Sequence, residues 1–434
     1  MFKRILIIAA GVALGLMVTG GATRLAWSWN IFPNRELNHS ADYVRDVLKL
    51  VNENYVEPDQ AAYDKLTREA LHGMVETLDP HSEFLEARDF QELDEEMRGD
   101  FGGIGIQVER REGRMLVIAP LAGSPGERAG ILRGDEIVAV DGKVIERGTN
   151  MNDVIDLLRG KPQTKVVVKL LRPSTQKQLE LTITREIIKV ESVRDVRVMA
   201  DGIGYLQLAE FSEHTTEEFD RALDSLLKQG ITSLVLDLRN NPGGLLDAAV
   251  DVAEPFFRKG ELIVYTQGRR PKDREDFRAE TEGEPLTLPV AVLINAGSAS
   301  AAEIVAGALK DTGRAVIVGE RSFGKGSVQS IFKLKNGEGL RLTTARYYTP
   351  SGVTIHEKGI EPQIEVVMTP EEDDELRLQR NRSDLSDPKE FAARFGFTPI
   401  EDRQLQAAIE VLKGVNVLAG RGVLPDRPPQ SVKR

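Results

Sequence analysis

The stretch that decides the fold spans residues 234–257 and reads LVLDLRNNPGGLLDAAVDVAEPFF. Residues 234–238 are almost wholly apolar, which predicts a strand that is buried on both faces. Residues 239–244 carry the Asn, Pro and Gly of a tight connection, and residues 245–257 have a helical pattern. A buried strand, a short turn and a helix in this order indicate an α/β layer with a mostly covered sheet.

The same alternation continues on both sides of this stretch. Strands are predicted at residues 203–208, 262–266, 289–294 and 315–318, and helices at residues 216–229 and 301–309. We therefore expect an α/β core over about residues 190–367. Residues 368–434 are expected to hold a charged linker or surface stretch at 371–390, a helix marked by Leu405, Ala408, Ile409 and Leu412, and a frayed tail.

Upstream of the α/β core the pattern changes. Residues 101–185 contain short β-type runs, turns rich in Gly and one helix at 151–158, which begins after the favourable cap Asn150. This pattern predicts a compact β-rich module of ordinary domain size. Residues 40–98 are helical, because Val44, Val47 and Val51 recur at helical spacing. We interpret this helical region as a packing or oligomerisation element.

The first 30 residues have the pattern of an export signal. Lys3 and Arg4 precede an apolar run over residues 5–19. The run is close to the ~18 residues that also indicate a membrane span. No clean A-x-A cleavage site follows it, so an uncleaved anchor and a cleaved signal both remain open, and a buried core helix is the weaker alternative. We expect a periplasmic or otherwise exported protein.

Composition excludes several classes of function. The 57 basic residues are outnumbered by 68 acidic residues, which gives a net charge of −11 and argues against nucleic acid as the main partner. The chain has no Cys, so disulfides, thiol nucleophiles and Cys-ligated zinc are excluded. Its five His are scattered without metal-ligand spacing, and we expect neither a metal nor a cofactor. Hydrolysis by Ser, Lys, Asp or Glu remains open.

Residues 295–303, NAGSASAAE, form the most informative segment for chemistry. A predicted strand ends there, small residues turn the chain, and a helix begins near Ser300. A hydroxyl at that point faces a helix N-terminus, where free N–H groups favour developing negative charge. Ser300 and Glu303 also form the S-x-x-E capping box, and a helix cap needs no catalytic role. Both interpretations are open from this segment alone.

Residues 319–327, GERSFGKGS, nearly match the phosphate-binding loop G-x-x-x-x-G-K-[ST]. Gly326 stands where that loop needs a hydroxyl, and the residues after it alternate like a strand instead of forming a helix. A nucleotide-dependent enzyme is therefore a weak alternative. Lys325 and Gln329 are separated by an even number of residues, so their side chains project from the same face of the predicted strand. In a fully extended chain they start roughly 13 Å apart. Contact between them therefore needs a bend, which Gly326 permits. A solvated turn lysine is the ordinary alternative.

The loop at residues 240–244, NNPGG, is the third candidate segment. Adjacent glycines allow backbone N–H groups to point into a cleft, as an oxyanion hole requires. An ordinary strand-to-helix turn explains the same residues.

Together these segments resemble the C-terminal (tail-specific) processing peptidases, a family of Ser–Lys serine proteases. The resemblance also includes TLDPHS at residues 77–82 and the Gly-rich start of the β-rich module. It implies that Ser300 is the nucleophile, that Lys325 is the general base and that Gln329 orients the lysine. It further implies oxyanion donors at Ala301 and at either Gly243 or Gly244. Such a base needs a pKa roughly 3 units below its ordinary value, at a cost of about 4 kcal/mol, which burial can supply.

The β-rich module resembles a PDZ domain. This resemblance implies a carboxylate-binding loop at Gly103, Ile104, Gly105 and Ile106, which would receive the C-terminus of a polypeptide substrate beside residues 106–108. Relatives of this type often form homo-oligomers, change between resting and active arrangements and can use an adaptor protein; the N-terminal helices and the C-terminal helix are the expected contacts. A catalytically inactive PDZ scaffold is the alternative function.

Overall fold

The computed structural model describes residues 35–173, 175–380 and 387–420. The predicted signal or anchor at residues 1–30 lies outside this part of the chain. Within the described residues, no helix combines the length and the apolar character that a membrane crossing needs. The chain divides into two compact units, Met1–Phe84 and Leu85–Arg434.

The described residues of the first unit, 35–84, are mainly helical, as the apolar spacing predicts. Helix α1, Arg35–Asn54, is followed by α2, Tyr63–Glu76. The Asn52 side chain donates a 2.8 Å hydrogen bond to the carbonyl of Ala61, which ties α1 to the chain that leads into α2. After α2, the Asp79 carboxylate accepts hydrogen bonds from the backbone N–H groups of His81 and Ser82 and so closes the turn in the TLDPHS motif. A short strand, β1, Glu83–Leu85, ends this region.

The β-rich module follows helix α3, Ala87–Arg98. Its main sheet has the order β3, β4, β5, β7, β8, with β6 beside β5. The strands are β3, Ile106–Arg111; β4, Arg114–Pro120; β5, Glu136–Val140; β6, Lys143–Val144; β7, Lys165–Arg172; and β8, Lys177–Thr184. The short helix α4, Pro125–Arg128, and α5, Met151–Leu158, complete the module, and Val154 and Leu158 of α5 join its buried core.

The chain enters and leaves this module through paired strands. Strand β2, Asp100–Gly103, runs antiparallel to β9, Glu186–Lys189, with Asp100 opposite Lys189 and Gly103 opposite Glu186. A two-stranded ribbon therefore connects the β-rich module to the core that follows it.

The core is built on a second six-stranded sheet, ordered β10, β11, β12, β15, β16, β19. The strands are β10, Val193–Val198; β11, Ile203–Leu208; β12, Ser233–Asp237; β15, Val290–Ile294; β16, Ala315–Gly319; and β19, Ile364–Glu365. Only β10 is antiparallel to its neighbour; the other pairs are parallel. Every residue of β12 and β15 is buried, as the continuous apolar runs predict.

Helices cover both faces of this sheet. On one face, Leu206, Leu236 and Val292 pack in a cluster that includes residues of α6, Thr215–Lys228; α7, Leu246–Ala253; and α8, Ala301–Asp311. On the other face, Tyr205, Val235 and Leu293 pack with the C-terminal helix α11, Arg403–Gly420. The alternation of side chains along each strand thus produces three layers.

An antiparallel sheet adjoins this core and carries the segment after Lys325. Strand β13, Leu262–Gly268, lies between β14, Arg274–Arg278, and β18, Gly339–Tyr348, and β17, Ser327–Lys333, pairs with β18. A strand therefore follows Gly326, as predicted, and the helix that a phosphate-binding loop requires is absent there.

The charged stretch predicted at residues 371–390 is largely helical in its described parts, residues 371–380 and 387–390. Helix α9, Pro370–Arg380, and helix α10, Pro388–Phe395, occupy most of this region. Leu376 and Phe391 are both only 1% exposed. A few apolar side chains between many charges are enough to anchor each helix. Arg380 of α9 is also largely buried and pairs with Asp237 at 3.3 Å.

Candidate active site

Ser300 lies in a sharp turn between β15 and α8. Its backbone has φ 54° and ψ −113°, a conformation that non-glycine residues rarely adopt. Strained strand-to-helix turns of this kind carry the nucleophile in some hydrolases because they expose the side chain above the sheet. The Ser298 hydroxyl stabilises this turn by donating a 2.8 Å hydrogen bond to the carbonyl of Leu238, the first residue after β12.

Glu303 connects this turn to the loop that carries Lys325. Its carboxylate accepts hydrogen bonds from the Ser300 N–H at 2.8 Å and the Lys325 N–H at 2.9 Å, both at Oε2. At Oε1 it accepts from the Gly324 N–H at 2.7 Å and the Ser322 hydroxyl at 2.5 Å. The backbone nitrogens of Ser300 and Lys325 are therefore at most about 6 Å apart. The predicted capping box is present, and the same carboxylate also fixes the second segment.

The environment of Lys325 favours the neutral amine. Burial lowers the pKa of Lys325, and the nearby positive charge of Arg341 lowers it further. The negative charges of Glu96 and Glu303 raise the pKa of Lys325, but its net value is still lower than that of an ordinary lysine. An amine with a lowered pKa is a better proton acceptor near neutral pH.

Gln329 lies on β17, and its amide nitrogen is hydrogen-bonded to two hydroxyl groups. It donates hydrogen bonds of 3.1 Å to the Ser327 hydroxyl and 3.0 Å to the Thr343 hydroxyl. A register irregularity between Val328 and Gln329 breaks the alternation along β17, so simple parity does not relate Lys325 to Gln329. Among the described residues no hydrogen bond joins Gln329 to Lys325, and the orienting role remains a prediction.

The NNPGG loop lies directly against the Ser300 turn. A side-chain Cβ on Gly243 would come within 2.7 Å of Ser300 Cβ and 2.9 Å of the Ala301 nitrogen. The Asn241 carbonyl also accepts a 2.9 Å hydrogen bond from the Ala299 N–H. The two segments that were proposed separately from the sequence are therefore in contact.

The two glycines of this loop have different hydrogen bonds. The Gly243 N–H donates a 2.8 Å hydrogen bond to the Asn241 side chain, so it is already occupied. The N–H groups of Gly244 and Ala301 have no acceptor within residues 35–173, 175–380 and 387–420. Gly244 is also exposed, whereas Gly243 is buried. Gly244 therefore fits the predicted donor role better than Gly243, and that role remains a prediction.

A buried ionic cluster supports the start of the NNPGG loop. Arg239, whose side chain is fully buried, binds Asp237 at 2.6 Å and Asp402 at 2.7 Å. Burial by itself would raise the pKa of Asp237, but the positive charges of Arg239 and Arg380 hold it well below its usual range. The cluster thus joins Asp402, just before helix α11, to Asp237 and Arg239, just before the NNPGG loop.

The predicted carboxylate-binding loop connects β2 to β3. Gly103 ends β2, Ile104 and Gly105 form the connection, and Ile106 begins β3. Gly105 has φ +66°, and a Cβ there would come within 2.4 Å of Ser124 Cβ, so this position requires glycine. The Ser124 hydroxyl fixes the loop by donating a 2.8 Å hydrogen bond to the Gly105 carbonyl.

Sequence reasoning missed the residues that β18 contributes to this region. The positive charge of Arg341 lowers the pKa of Lys325, and the Thr343 hydroxyl accepts a hydrogen bond from the Gln329 amide. Both residues lie on a strand that was not predicted. Its sequence, GLRLTTARYY, contains the β-branched and aromatic residues of a strand, which was the available signal.

Comparison with known proteins agrees with this arrangement. Peptidase family S41 matches residues 202–366, and the PDZ domain family matches residues 116–172. The chain is 39% identical over 432 residues to a carboxy-terminal-processing protease of Bartonella bacilliformis, which covers 95% of this chain and 96% of that relative. The chain belongs to the carboxy-terminal processing proteases of family S41.

Other members of this family are also similar. The carboxy-terminal processing protease CtpA of Bacillus subtilis is 40% identical over 302 residues, which represent 69% of this chain and 64% of that relative. A solved structure of a photosystem II D1 C-terminal processing protease is 32% identical, covers 74% of this chain and 91% of its own, and has a TM-score of 0.44. This S41 protease is thus a serine-type peptidase with a PDZ domain and an α/β catalytic core.

Proposed function

We propose that this protein is an endopeptidase that cleaves polypeptides through an acyl-enzyme, with Ser300 as nucleophile and Lys325 as general base. The observation that carries the proposal is the Glu303 carboxylate, which binds the backbone N–H groups of both residues at one oxygen atom. The lowered pKa of Lys325 supports the base role.

The chemistry follows from these positions. The neutral Lys325 amine accepts the proton of the Ser300 hydroxyl as Oγ attacks the carbonyl carbon of the scissile peptide. The N–H groups of Gly244 and Ala301 stabilise the oxyanion, and Ala301 is the first residue of α8, whose dipole favours negative charge there. The Lys325 ammonium then protonates the leaving amine, and a water molecule activated by Lys325 hydrolyses the acyl-enzyme. Gln329 would orient the lysine through a rearrangement of its present hydrogen bonds.

We further propose that the PDZ domain binds the C-terminus of the substrate at Gly103, Ile104, Gly105 and Ile106. Strand β3 is the terminal strand of its sheet, so a peptide can add beside it. A peptide with a free C-terminal carboxylate should compete with protein substrate, and the same peptide with a C-terminal amide should compete at least tenfold less well. Equal competition by both peptides would contradict this recognition.

The proposed cellular location rests on the signal-like pattern of the N-terminal sequence. A signal or anchor within residues 1–30 would deliver the protease to an exported, periplasmic location, where its substrates would be exported polypeptides. Homo-oligomerisation and the use of an adaptor protein belong to the same proposal. Cell fractionation with the full chain tests the location, and a purely cytosolic protein would contradict it.

Digestion of casein, a flexible protein, tests the peptidase mechanism and separates it from an inactive PDZ scaffold. The wild-type chain should cleave casein, while Ser300→Ala and Lys325→Ala should each lose cleavage by at least about 10³-fold. Ser330→Ala, at a hydroxyl on β17 that bonds Thr344, is a matched control and should remain active. Cleavage by Ser300→Ala at the wild-type rate would refute the mechanism, and an inactive wild type would favour the scaffold.

A further inference from the structure

Asn295 lies where β15 ends and the Ser300 turn begins, and it is only 1% exposed. Its Oδ1 accepts hydrogen bonds from the backbone N–H groups of Asn240 at 2.8 Å and Gly297 at 3.1 Å. Its Nδ2 donates hydrogen bonds of 3.0 Å to Asn240 Oδ1 and to Asp373 Oδ1. One buried amide therefore contacts the NNPGG loop, the Ser300 turn and helix α9.

Asn240, the first residue of the NNPGG loop, is bound by Asn295 through both its backbone and its side chain. It has φ 56°, in the left-handed region that residues other than glycine rarely adopt. The contact is also close, since a Cβ on Gly297 would come within 2.7 Å of Asn240 Oδ1. The start of the loop is therefore fixed against the Ser300 turn.

The position of Asn240 affects the part of the loop that lies nearest to the proposed nucleophile. Gly243, which packs against Ser300, and Gly244, whose N–H is a proposed oxyanion donor, follow it in the same loop. Asn241 lies between them and accepts a 2.8 Å hydrogen bond from the Gly243 N–H, so a shift at Asn240 also moves Gly243. A misplacement of about 1 Å in a catalytic group can slow a reaction about 100-fold.

We propose that Asn295 is a positioning residue, which holds the NNPGG loop in place against the Ser300 turn and whose amide orientation is set by Asp373. A carboxylate only accepts hydrogen bonds, so Asp373 binds the Nδ2 side of the amide and leaves Oδ1 for the N–H groups of Asn240 and Gly297. Asn295 exchanges no proton and acts only through the groups that it holds. This inference rests on the proposed function, because it assumes that the loop supplies an oxyanion donor.

Asn295→Asp tests the proposal, because it keeps the size of the side chain and its acceptor oxygen but removes the donor. At about pH 9 the new carboxylate and Asp373 are both charged, so repulsion replaces their hydrogen bond. We expect kcat for casein cleavage to fall about 100-fold, with KM within about twofold of wild type. Labelling of Ser300 by a fluorophosphonate should slow by a similar factor, while the final labelled fraction stays at the wild-type level, which separates misplacement from unfolding.

Adding Asp373→Asn to Asn295→Asp should restore the reaction. The amide at position 373 can donate a hydrogen bond to the new carboxylate. Asn240 can also turn toward it, because the buried Nδ2 of Asn240 has no hydrogen-bond partner among the described residues. We expect kcat of the double variant within about fivefold of wild type. A double variant as slow as Asn295→Asp would overturn the role of the pair.

Gln379→Glu is the matched control, because it makes the same amide-to-acid change on α9. The Gln379 amide donates a 3.2 Å hydrogen bond to the Ile400 carbonyl and accepts one of 2.9 Å from the Ile400 N–H. The variant should be less stable in urea but keep wild-type kcat. Wild-type kcat and labelling rate in Asn295→Asp, while Ser300→Ala is inactive, would overturn the role of Asn295 alone. Full activity of Ser300→Ala would instead overturn the proposed function.

Discussion

At the scale of single residues, Glu303 has the largest effect on the geometry of the site. The S-x-x-E pattern predicts its bond to the Ser300 N–H, because both residues belong to one helix start. The pattern cannot predict the bonds to Ser322, Gly324 and Lys325, which are about twenty residues away in sequence and reach Glu303 only through the folding of the sheet. The sequence therefore predicted the hydrogen bond within the helix start but not the hydrogen bonds that link Glu303 to the Lys325 loop.

Replacing Glu303 by Gln should damage both stability and activity. The amide has one acceptor oxygen in place of two, so at least one buried N–H loses its partner, at a cost of about 1–3 kcal/mol. We expect a free energy of unfolding lower by that amount in urea titration and at least a 100-fold loss of casein cleavage.

Glu218→Ala is the control for stability without catalysis. Its carboxylate also accepts two backbone N–H groups, those of Ser192 and Val193. A comparable loss of stability with normal kcat is expected there. If Glu303→Gln retained normal kcat, its carboxylate would have no part in positioning Ser300 and Lys325.

Arg341 should set the pH range of the enzyme. Its positive charge adds to the effect of burial and lowers the pKa of Lys325, so the neutral amine becomes available at lower pH. Arg341→Gln should therefore raise that pKa and move the ascending limb of kcat/KM to higher pH, with reduced activity at pH 7. Arg346→Gln, an exposed position on the same strand, should leave the limb in place. A limb that moves to lower pH in Arg341→Gln would contradict this electrostatic argument.

At the scale of elements, the site forms where three turns meet at the carboxyl ends of parallel strands. The sequence predicted the strand β12, the strand β15 and the helix that begins at Ala301, since long apolar runs and small-residue turns are strong local signals. It did not predict β18, and the parity argument for Gln329 did not foresee the irregularity after Val328. Such irregularities depend on the partner strand, which no local pattern reveals.

The contact between the NNPGG loop and the Ser300 turn can be tested at Gly243. Gly243→Ala places a methyl group 2.7 Å from Ser300 Cβ, so Ser300 or the loop must move. We expect at least a 100-fold loss of kcat/KM. Gly260→Ala is the control, because Gly260 also has positive φ, +84°, but no atom lies within 4 Å of its added Cβ. Equal activity of both variants would contradict the close approach.

At the scale of the whole molecule, the C-terminal segment completes the catalytic core. Ala408 and Leu412 of α11 are buried against the second face of the central sheet, and the Asn295 side chain in the Ser300 turn donates a 3.0 Å hydrogen bond to Asp373 of α9. The sequence predicted α11 from its apolar spacing, but it did not predict that the preceding charged stretch folds against the core. Because most residues of α9 and α10 are charged, their sequences do not reveal the few buried positions that anchor these helices.

The buried Arg239–Asp402 pair should make this segment important for stability. Asp402→Asn removes a charge that faces a fully buried guanidinium, and we expect a loss of about 3 kcal/mol in the free energy of unfolding. Asp201→Asn breaks the exposed 2.9 Å pair between Asp201 and Lys413 of α11, and it should cost much less, because exposed ion pairs contribute little to stability. Urea titration of both variants measures the difference, and equal losses would contradict a special role for the buried pair.

The most direct measurement of the central claim is the site and rate of covalent labelling by a fluorophosphonate, followed by peptide mass spectrometry of the full chain. We predict a single adduct on Ser300 in the wild-type protein, none on Ser300→Ala, and labelling at least about 100-fold slower in Lys325→Ala with an unchanged fold. An adduct on another residue, or labelling of Lys325→Ala at the wild-type rate, would contradict a Ser300 nucleophile activated by Lys325.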